Sequence, residues 1–189
     1  MAAKPRILHS SKDMIWSLVP LLIICAVVAI ASGNCSVGLT GQASDDRTPP
    51  FDVHTALQTD ARDLPFPIRR PVVPADWKPN SGSTGEVGGT QVSNVGWITQ
   101  VGAYLQLSQT NAKEDDLVTY LGGNDALGAG TKQIDGHEWV VYNTSGSKKF
   151  WITDLGDARI AVLSQGPDDD MARLATAVLA QQPLPRTAT

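Results

Sequence analysis

The sequence predicts an α+β fold in which an N-terminal transmembrane helix is followed by one antiparallel sheet domain, with short helices and a C-terminal helix packed on the sheet. Three observations predict it. A long charge-free run lies near the N-terminus, strand patterns joined by short turns fill the middle of the chain, and helical patterns flank those strands. Consecutive strands joined by short turns pair antiparallel, and the flanking helices then cover the sheet.

The charge-free run is long enough to cross a bilayer as a helix. No Asp, Glu, Lys or Arg occurs from Met14 through Ser44, and the first 18 of these residues are almost all apolar. At about 1.5 Å per residue, a helix over residues 14–34 spans roughly the hydrocarbon core. Trp16 then falls where interfacial aromatic side chains sit. The sequence therefore predicts the lipid bilayer as a partner through residues 14–34.

The flanking charges predict the orientation of this helix. Three basic residues, Lys4, Arg6 and Lys12, and one acidic residue, Asp13, precede the run, whereas 12 basic and 18 acidic residues follow it. Basic flanks stay in the cytoplasm, so residues 1–13 are expected to form a cytoplasmic tail at the cell membrane, with the C-terminal domain outside. Because an acidic domain repels nucleic acid, nucleic acid is not an expected partner.

A cleaved signal peptide is the alternative to an anchor. Residues 29–31 (AIA) fit the small-x-small pattern that precedes a cleavage site, and cleavage there would release a secreted soluble protein near Ser32. The run is long for a signal peptide, which favours the anchor. Cys25 and Cys35 would lie about 15 Å apart on a helix, too far for a disulfide, and a modification of Cys35 stays open.

The rest of the chain is organised as one domain between two polar ends. Residues 35–50 are small and polar and are expected to form a flexible tether. Residues 51–183 carry the periodic patterns of an extracytoplasmic α+β domain, and residues 184–189 are expected to be a disordered tail. The length of this region suits a single domain.

Within residues 51–183 the apolar periodicity and the turn residues predict the local elements. Asp52 is a suitable N-cap for the first helix, and alternation of polar and apolar residues from Tyr104 to Gln109 is typical of a half-buried strand. The first half of the domain is predicted to contain a helix over 52–62, an extended proline-rich segment over 65–79, a glycine-rich loop over 82–89, and strands over 91–100 and 103–109. The middle is predicted to contain a helix over 111–121 stopped by Gly122, a loop over 122–130, a hairpin over 133–143 turning at Asp135-Gly136, and a hairpin of strands 150–153 and 159–164. A helix from Pro167 to Pro183 is predicted last, with a buried stripe of Met171, Leu174, Ala175, Val178 and Leu179.

Several short motifs in a fixed order carry a resemblance to a known family. They are residues 13–18 (DMIWSL), 76–79 (DWKP), 96–99 (GWIT) with 104–107 (YLQL), 136–139 (GHEW), and 159–166 before a terminal helix. In this order they resemble the domain of unknown function 4245 family of actinobacterial single-pass membrane proteins. The resemblance implies an N-terminal anchor and an exported domain. It implies no functional residues, because the family carries no established activity. Gln100 stands where the family pattern has proline, so the turn there departs from that pattern.

The sequence lacks the residue patterns of a metal centre or a nucleophilic enzyme. His54 and His137 have no companion ligands at zinc-binding spacing. No G-x-S-x-G elbow presents a serine, and residues 128–132 lack the Gly-Lys-Ser/Thr order of a phosphate loop. The sequence therefore predicts no catalytic residues, no metal ligands and no cofactor.

Four tryptophans of the domain, Trp77, Trp97, Trp139 and Trp151, form the one candidate ligand groove in the sequence. Clustered indoles can line a groove for a sugar or a lipid. The alternative is that they fill a core that contains few phenylalanines, and this alternative is favoured because large aromatic side chains dominate cores.

Together these features predict a membrane-anchored extracytoplasmic module that acts as a non-catalytic binding or accessory protein of the cell envelope. An envelope protein or a glycan is the expected partner. One alternative is an envelope hydrolase, since its two carboxylates can lie far apart in a chain. The other is the secreted soluble protein released near Ser32.

Overall fold

The computed structural model of this chain describes residues 16, 18–25 and 51–186. The chain divides into two compact units, Met1–Thr48 and Pro49–Thr189. In the first unit, residues 16 and 18–25 are helical and exposed, and Trp16 is 79% exposed. Within the part of the chain that the structure describes, no helix combines the length and the apolar character needed to cross a membrane. The predicted tail over 1–13, the ends of the predicted helix over 14–34 and the tether over 35–50 lie outside the described residues.

Residues 51–186 form an α+β domain with one antiparallel sheet, as predicted. The described strands pair in the order β1-β2-β3-β7-β6-β5-β4, and every neighbouring pair is antiparallel. The strands are β1 (Lys78–Val87), β2 (Thr90–Ile98), β3 (Tyr104–Thr110), β4 (Leu127–Ile134), β5 (His137–Asn143), β6 (Lys149–Asp154) and β7 (Arg159–Ser164), and the helices are α1 (Val53–Asp63), α2 (Glu114–Gly122) and α3 (Asp168–Leu179).

Two predicted loops are wrong, because they are edge strands of the sheet. Residues 82–89, predicted as a glycine-rich loop, belong largely to β1, and the predicted loop over 122–130 contains the start of β4. Both strands are mostly exposed to solvent, so neither needs the apolar alternation of a half-buried strand. Glycine in β1 has a packing reason: a Cβ at Gly82 would collide with the ring of Phe51.

Local signals for caps and tight turns are confirmed. Asp52 caps α1 by accepting a hydrogen bond of 3.1 Å from the backbone N–H of Thr55. The β4–β5 hairpin turns at Asp135 and Gly136, whose φ angles of 48° and 79° suit a two-residue turn with left-handed backbone. One detail differs: Gly123, with φ of 73°, ends α2 one residue after the predicted Gly122.

The first face of the sheet carries the main core. α1 and α3 pack on this face, and the predicted stripe of α3 is buried at Met171, Leu174, Ala175 and Val178. Full burial of Met171, Leu174 or Val178 contributes roughly 1.5–3 kcal/mol relative to exposure. The strand side chains beneath them include Val95, Leu105, Leu107, Ile160 and Val162.

The proline-rich segment is held against this core by a buried glutamine. Gln109 is fully buried in β3. Its Nε2 donates to the carbonyl of Arg69 at 2.9 Å, and its Oε1 accepts from the N–H of Arg69 at 2.8 Å. Phe66 and Trp77 of the same segment are buried in the core. The segment is thus fixed by apolar packing and by two backbone hydrogen bonds, and only its last residues, Lys78 and Pro79, join the sheet as the start of β1.

Leu184 and Arg186, which lie in the predicted disordered tail over 184–189, are hydrogen-bonded to the domain. The N–H of Leu184 donates to the carbonyl of Ile68 at 2.7 Å, and the guanidinium of Arg186 donates to the carbonyl of Leu64. These bonds satisfy backbone groups that a disordered tail would leave to water. Residues 187–189 lie outside the described residues.

An ion cluster joins the N-terminus of α3 to the sheet. The carboxylate of Asp168 pairs with the ammonium groups of Lys149 and Lys132, and the Lys132 ammonium lies 3.6 Å from the ring centroid of Trp151. The hydrogen bond from Lys149 is the main cause that lowers the pKa of Asp168, and Lys132 adds to it. Because the Asp168 side chain is 50% exposed, solvent screens these pairs and limits their effect on stability.

We expect the substitution Asp168→Asn to reduce the free energy of unfolding at neutral pH by up to about 1 kcal/mol. A carboxyl group with a lowered folded-state pKa stabilises the fold above its unfolded pKa and loses that effect as pH falls through the folded pKa. The difference from the wild type should therefore shrink as pH falls below about 4. Urea denaturation at several pH values measures this, with Asp169→Asn, an exposed neighbour, as the control. A difference in stability that stays constant down to low pH would contradict a lowered pKa of Asp168 in the folded protein.

Candidate functional site

The second face of the sheet is apolar at one end and polar at the other. α2 covers the apolar end, where its Leu117 and Leu121 pack in a second core cluster with side chains of β6 and β7, namely Phe150, Ile152, Ala161 and Leu163. The polar end lies over β1, β2 and β3, beside the C-terminal half of α2. This half-covered face leaves room for an open site between the helix and the polar strands.

The register between β2 and β3 brings the polar side chains together. Asn94 pairs with Ser108, and Gly96 pairs with Gln106. Residues paired across antiparallel strands point to the same face, so these side chains are neighbours. Gln106 also pairs with Leu163 of β7, which places the polar end directly beside the apolar cluster.

A continuous hydrogen-bond network links these side chains to α2. Gln106 Nε2 donates to Asn94 Oδ1 at 3.1 Å and to Ser108 Oγ at 2.9 Å. Ser108 Oγ donates to Asn94 Oδ1 at 2.7 Å, and Asn94 Nδ2 donates to the hydroxyl of Tyr120 at 3.0 Å. The hydroxyl of Tyr104 donates to Gln106 Oε1 at 3.1 Å. Since Asn94 and Ser108 are buried, this satisfied network holds Gln106 and the two tyrosines in fixed orientations.

Two glycines make room for the tyrosines on this face. A Cβ on Gly96 would lie 2.5 Å from the hydroxyl of Tyr104 and 2.7 Å from Ser81 Oγ. A Cβ on Gly85 would lie 2.7 Å from the hydroxyl of Tyr120. Any larger residue at either position would therefore displace a member of the network.

An open pocket of about 330 Å³ lies above the network. Its volume is at the lower end of the range for small-molecule sites. We call it the polar pocket. It is lined by Tyr104, Gln106, Tyr120, Leu121, Lys148, Leu163 and Gln165. Hydroxyl, amide and ammonium groups converge there with two leucines, a combination suited to binding a small polar molecule that also has an apolar surface.

Lys148 supplies the positive charge of the polar pocket. It comes directly before β6, and its ammonium donates to the carbonyl of Leu121 at 3.1 Å, at the C-terminal end of α2. Asp125 lies on the same side; its pKa is lowered chiefly by hydrogen bonds from Ser145 and to a smaller extent by Lys148. A full charge on Lys148 exceeds the partial negative charge of about one half at a helix C-terminus. Asp125 does not line the pocket, so Lys148 is the charged side chain that faces a ligand there.

The helix that forms one wall of the pocket is fixed at both ends. At its N-terminal end, the hydroxyl of Tyr142 donates to Glu114 Oε1 at 2.6 Å, and the Tyr142 ring stacks on Phe150 with a centroid distance of 5.2 Å. Burial, and then Glu114, raise the pKa of Tyr142, so this hydroxyl stays protonated at neutral pH. At the other end, Tyr120 is held by Asn94. A wall fixed in this way keeps the pocket open in one shape.

The four tryptophans of the candidate groove lie elsewhere. Trp77, Trp97, Trp139 and Trp151 all belong to the core cluster on the first face, and each is at most 4% exposed. Side chains this buried leave no indole surface for a ligand to contact, so core packing accounts for them in this structure. The indole N–H groups of Trp139 and Trp151 have no hydrogen-bond partner among the described residues.

The histidines do not come together at the polar pocket. His54 lies on α1 and His137 begins β5, and both are exposed. Among the residues that the structure describes, no group of three or more His, Cys, Asp or Glu side chains is placed to hold a metal ion.

The sequence prediction missed the site, although it recorded part of the signal. The alternation of Tyr104, Gln106 and Ser108 with Leu105 and Leu107 correctly predicted a strand with one polar face. A half-buried strand was all that this alternation predicted. The pairing with Asn94 and the cover by Tyr120 depend on tertiary structure, which a single strand pattern does not reveal.

Fold and pocket together define a single-sheet α+β domain with an open polar pocket beside one helix. The chain belongs to the family described as protein of unknown function (DUF4245), whose model matches residues 6–178. This confirms the family that the motifs predicted. No curated protein and no solved structure matches the chain.

We expect Gly96→Ala to disrupt the network, because the added methyl group occupies the space of the Tyr104 hydroxyl. The loss of the bond between Tyr104 and Gln106 should lower the free energy of unfolding by about 1–2 kcal/mol. Urea denaturation measures the stability, and NMR signals of the Tyr104 ring report its displacement. Gly128→Ala on β4 is the matched control, since no atom lies within 4 Å of its Cβ. Equal stability and an unchanged Tyr104 ring in both variants would contradict this role of Gly96.

Proposed function

We propose that this chain is a single-pass protein of the cell membrane whose outer domain is a non-catalytic binding module. In this proposal, residues 1–13 lie in the cytoplasm, residues 14–34 cross the bilayer, and residues 51–183 lie outside. The observation that carries the binding function is the polar pocket, where a hydrogen-bond network with buried members orients Tyr104, Gln106 and Tyr120. A binding site benefits from such pre-organisation, because fewer side chains lose freedom when a ligand enters.

Two observations support the membrane anchor. The described helical residues 18–25 expose large apolar side chains; Leu22 is 62% exposed and Ile24 is 59% exposed. Apolar surface of this kind is stabilised by transfer from water into an apolar environment. The second observation is the charge pattern, with basic residues before the apolar run and an acidic domain after it.

The composition of the pocket supports binding over hydrolysis. A hydrolase of the two-carboxylate type needs a pair of acidic groups facing its substrate. The residues that line the polar pocket contribute hydroxyl, amide and ammonium groups and no carboxylate. The hydroxyls of Tyr104 and Tyr120 take part in hydrogen bonds within the network, and within residues 51–186 neither donates to a histidine or a carboxylate.

The anchor predicts that the full-length protein resists extraction from membranes by alkaline carbonate. It also predicts that protease added to intact cells degrades the domain over 51–183 while the N-terminal tail is spared. Tags at the two termini, followed by immunoblotting, measure both properties, and a cytoplasmic protein serves as the control for cell integrity. Extraction of the protein into the aqueous fraction, or protection of the C-terminal tag from the protease, would contradict the proposed anchor and orientation.

The binding function predicts that small polar molecules enter the polar pocket. Full-length protein in lipid nanodiscs is titrated with monosaccharides and with acylated amino acids, and the side-chain amide signals of Gln106 and Gln165 are followed by NMR. Binding should shift these signals in a saturable way. Gln106→Leu, followed through the Gln165 amide, should weaken binding about tenfold, because it removes the Oε1 acceptor and the hydrogen bond that orients Tyr104. The control is Gln133→Leu at an exposed position of β4. If no compound shifts either amide, the pocket is not the binding site.

A further inference from the structure

The polar pocket presents unused hydrogen-bond donors on Tyr120 and Lys148. The hydroxyl of Tyr120 accepts from Asn94, and among the described residues its own proton has no acceptor. The ammonium of Lys148 uses one donor on the carbonyl of Leu121, which leaves two of its three N–H groups. Gln106 has both Nε2 protons engaged within the network and keeps one lone pair of Oε1. A ligand that matches this set must supply mainly acceptors.

The charge of the pocket further limits which ligands match it. Among the residues that line it, Lys148 is the one with a permanent charge, and that charge lies at the C-terminal end of α2. Part of the lysine charge offsets the helix carbonyls, and the remainder matches at most a single negative charge. A dianionic phosphate is a poor match, because phosphate sites use helix N-termini or several cationic groups. A carboxylate carries one charge and only accepts hydrogen bonds when ionised.

The positions of the donors suit a carboxylate group. Lys148 comes directly before β6, and Gln165 comes directly after β7, so both lie at the same end of neighbouring antiparallel strands. Tyr120 approaches the pocket from α2. The side chains of Leu121 and Leu163 also line the pocket and offer contact to the carbon frame of a ligand.

We propose that the polar pocket binds a small organic monocarboxylate, with Lys148 and the Tyr120 hydroxyl as the groups that hold its carboxylate. This inference rests on the proposed binding function and names the ligand class of the same site. A sugar acid and an acylated amino acid share this chemistry. The neutral counterpart of either ligand loses the ion pair with Lys148 and binds more weakly.

The experiment compares two matched pairs of probes on full-length protein in phosphatidylcholine nanodiscs. One pair is glucuronate and glucose, and the other is N-acetylalanine and N-acetylalaninamide. NMR titration of the Gln106 side-chain amide yields the dissociation constants. In at least one pair, the acid should bind about tenfold or more tightly than its neutral counterpart. If the first pair shows this difference in affinity, the ligand class is a sugar acid. If the second pair shows it, the ligand class is an acylated amino acid.

Substitutions then assign the preference to the named groups. Lys148→Met should abolish the difference between acid and neutral probe, whereas Lys148→Arg should retain most of it. Tyr120→Phe, which removes only the hydroxyl, should weaken acid binding by about threefold to tenfold. Lys113→Met removes a positive charge at an exposed position before α2 and should leave the preference unchanged. If Lys148→Met fails to fold, Lys148→Arg and Tyr120→Phe still test whether these two side chains hold the carboxylate.

Three results would overturn the inference, and they differ in their consequences. Equal binding of the acid and its neutral counterpart in both pairs would exclude a carboxylate site and leave the pocket as a site for neutral polar molecules. A preference for the acids that survives in both Lys148→Met and Tyr120→Phe would place the carboxylate elsewhere. The absence of any response to all four probes would remove both the inference and the proposed binding function.

Discussion

The register of β3 against β2 is the constraint on which the second face of the domain depends. It sets Asn94 opposite Ser108 and Gly96 opposite Gln106, and a slip of β3 by one residue would turn Gln106 and Ser108 to the first face. That face holds the apolar core, where unsatisfied amides would each cost about 1–3 kcal/mol. The same register directs Leu105 and Leu107 into the core. The polar network on the second face and the apolar core on the first face therefore both stabilise the same register of β2 and β3.

The polar pocket lies at the edge of the sheet surface that α2 covers with apolar side chains. α2 packs its leucines on β6 and β7 and then stops at Gly122, before it can cover the polar strands. Tyr120 bridges this gap by reaching Asn94, and Gly85 provides the space for it. An open site with fixed walls follows from two opposing requirements: leucines must be buried, and amides must stay hydrogen-bonded. The exposed polar groups that remain are the ones available to a ligand.

Local sequence signals predicted the parts of the fold that depend on local physics. The turn at Asp135-Gly136 and the cap at Asp52 follow from backbone preferences of short segments, and the buried stripe of α3 follows from helical periodicity. β1 was missed because an edge strand exposed to water carries no apolar alternation. The polar pocket was missed because its lining residues come from β3, β7, α2 and the positions directly before β6 and after β7. Only pairing over long sequence distances brings Asn94, Gln106 and Tyr120 together.

The central claim is that the amide groups under the pocket are held in place before any ligand arrives. Hydrogen exchange of the side-chain amides of Asn94 and Gln106, measured by NMR on the full-length protein without ligand, tests it most directly. Donors engaged in a buried network exchange slowly, because exchange requires them to open to water. The structure predicts exchange of both amides well below the rate of the exposed Gln133 side chain. Exchange at the rate of Gln133 would contradict a pre-formed site.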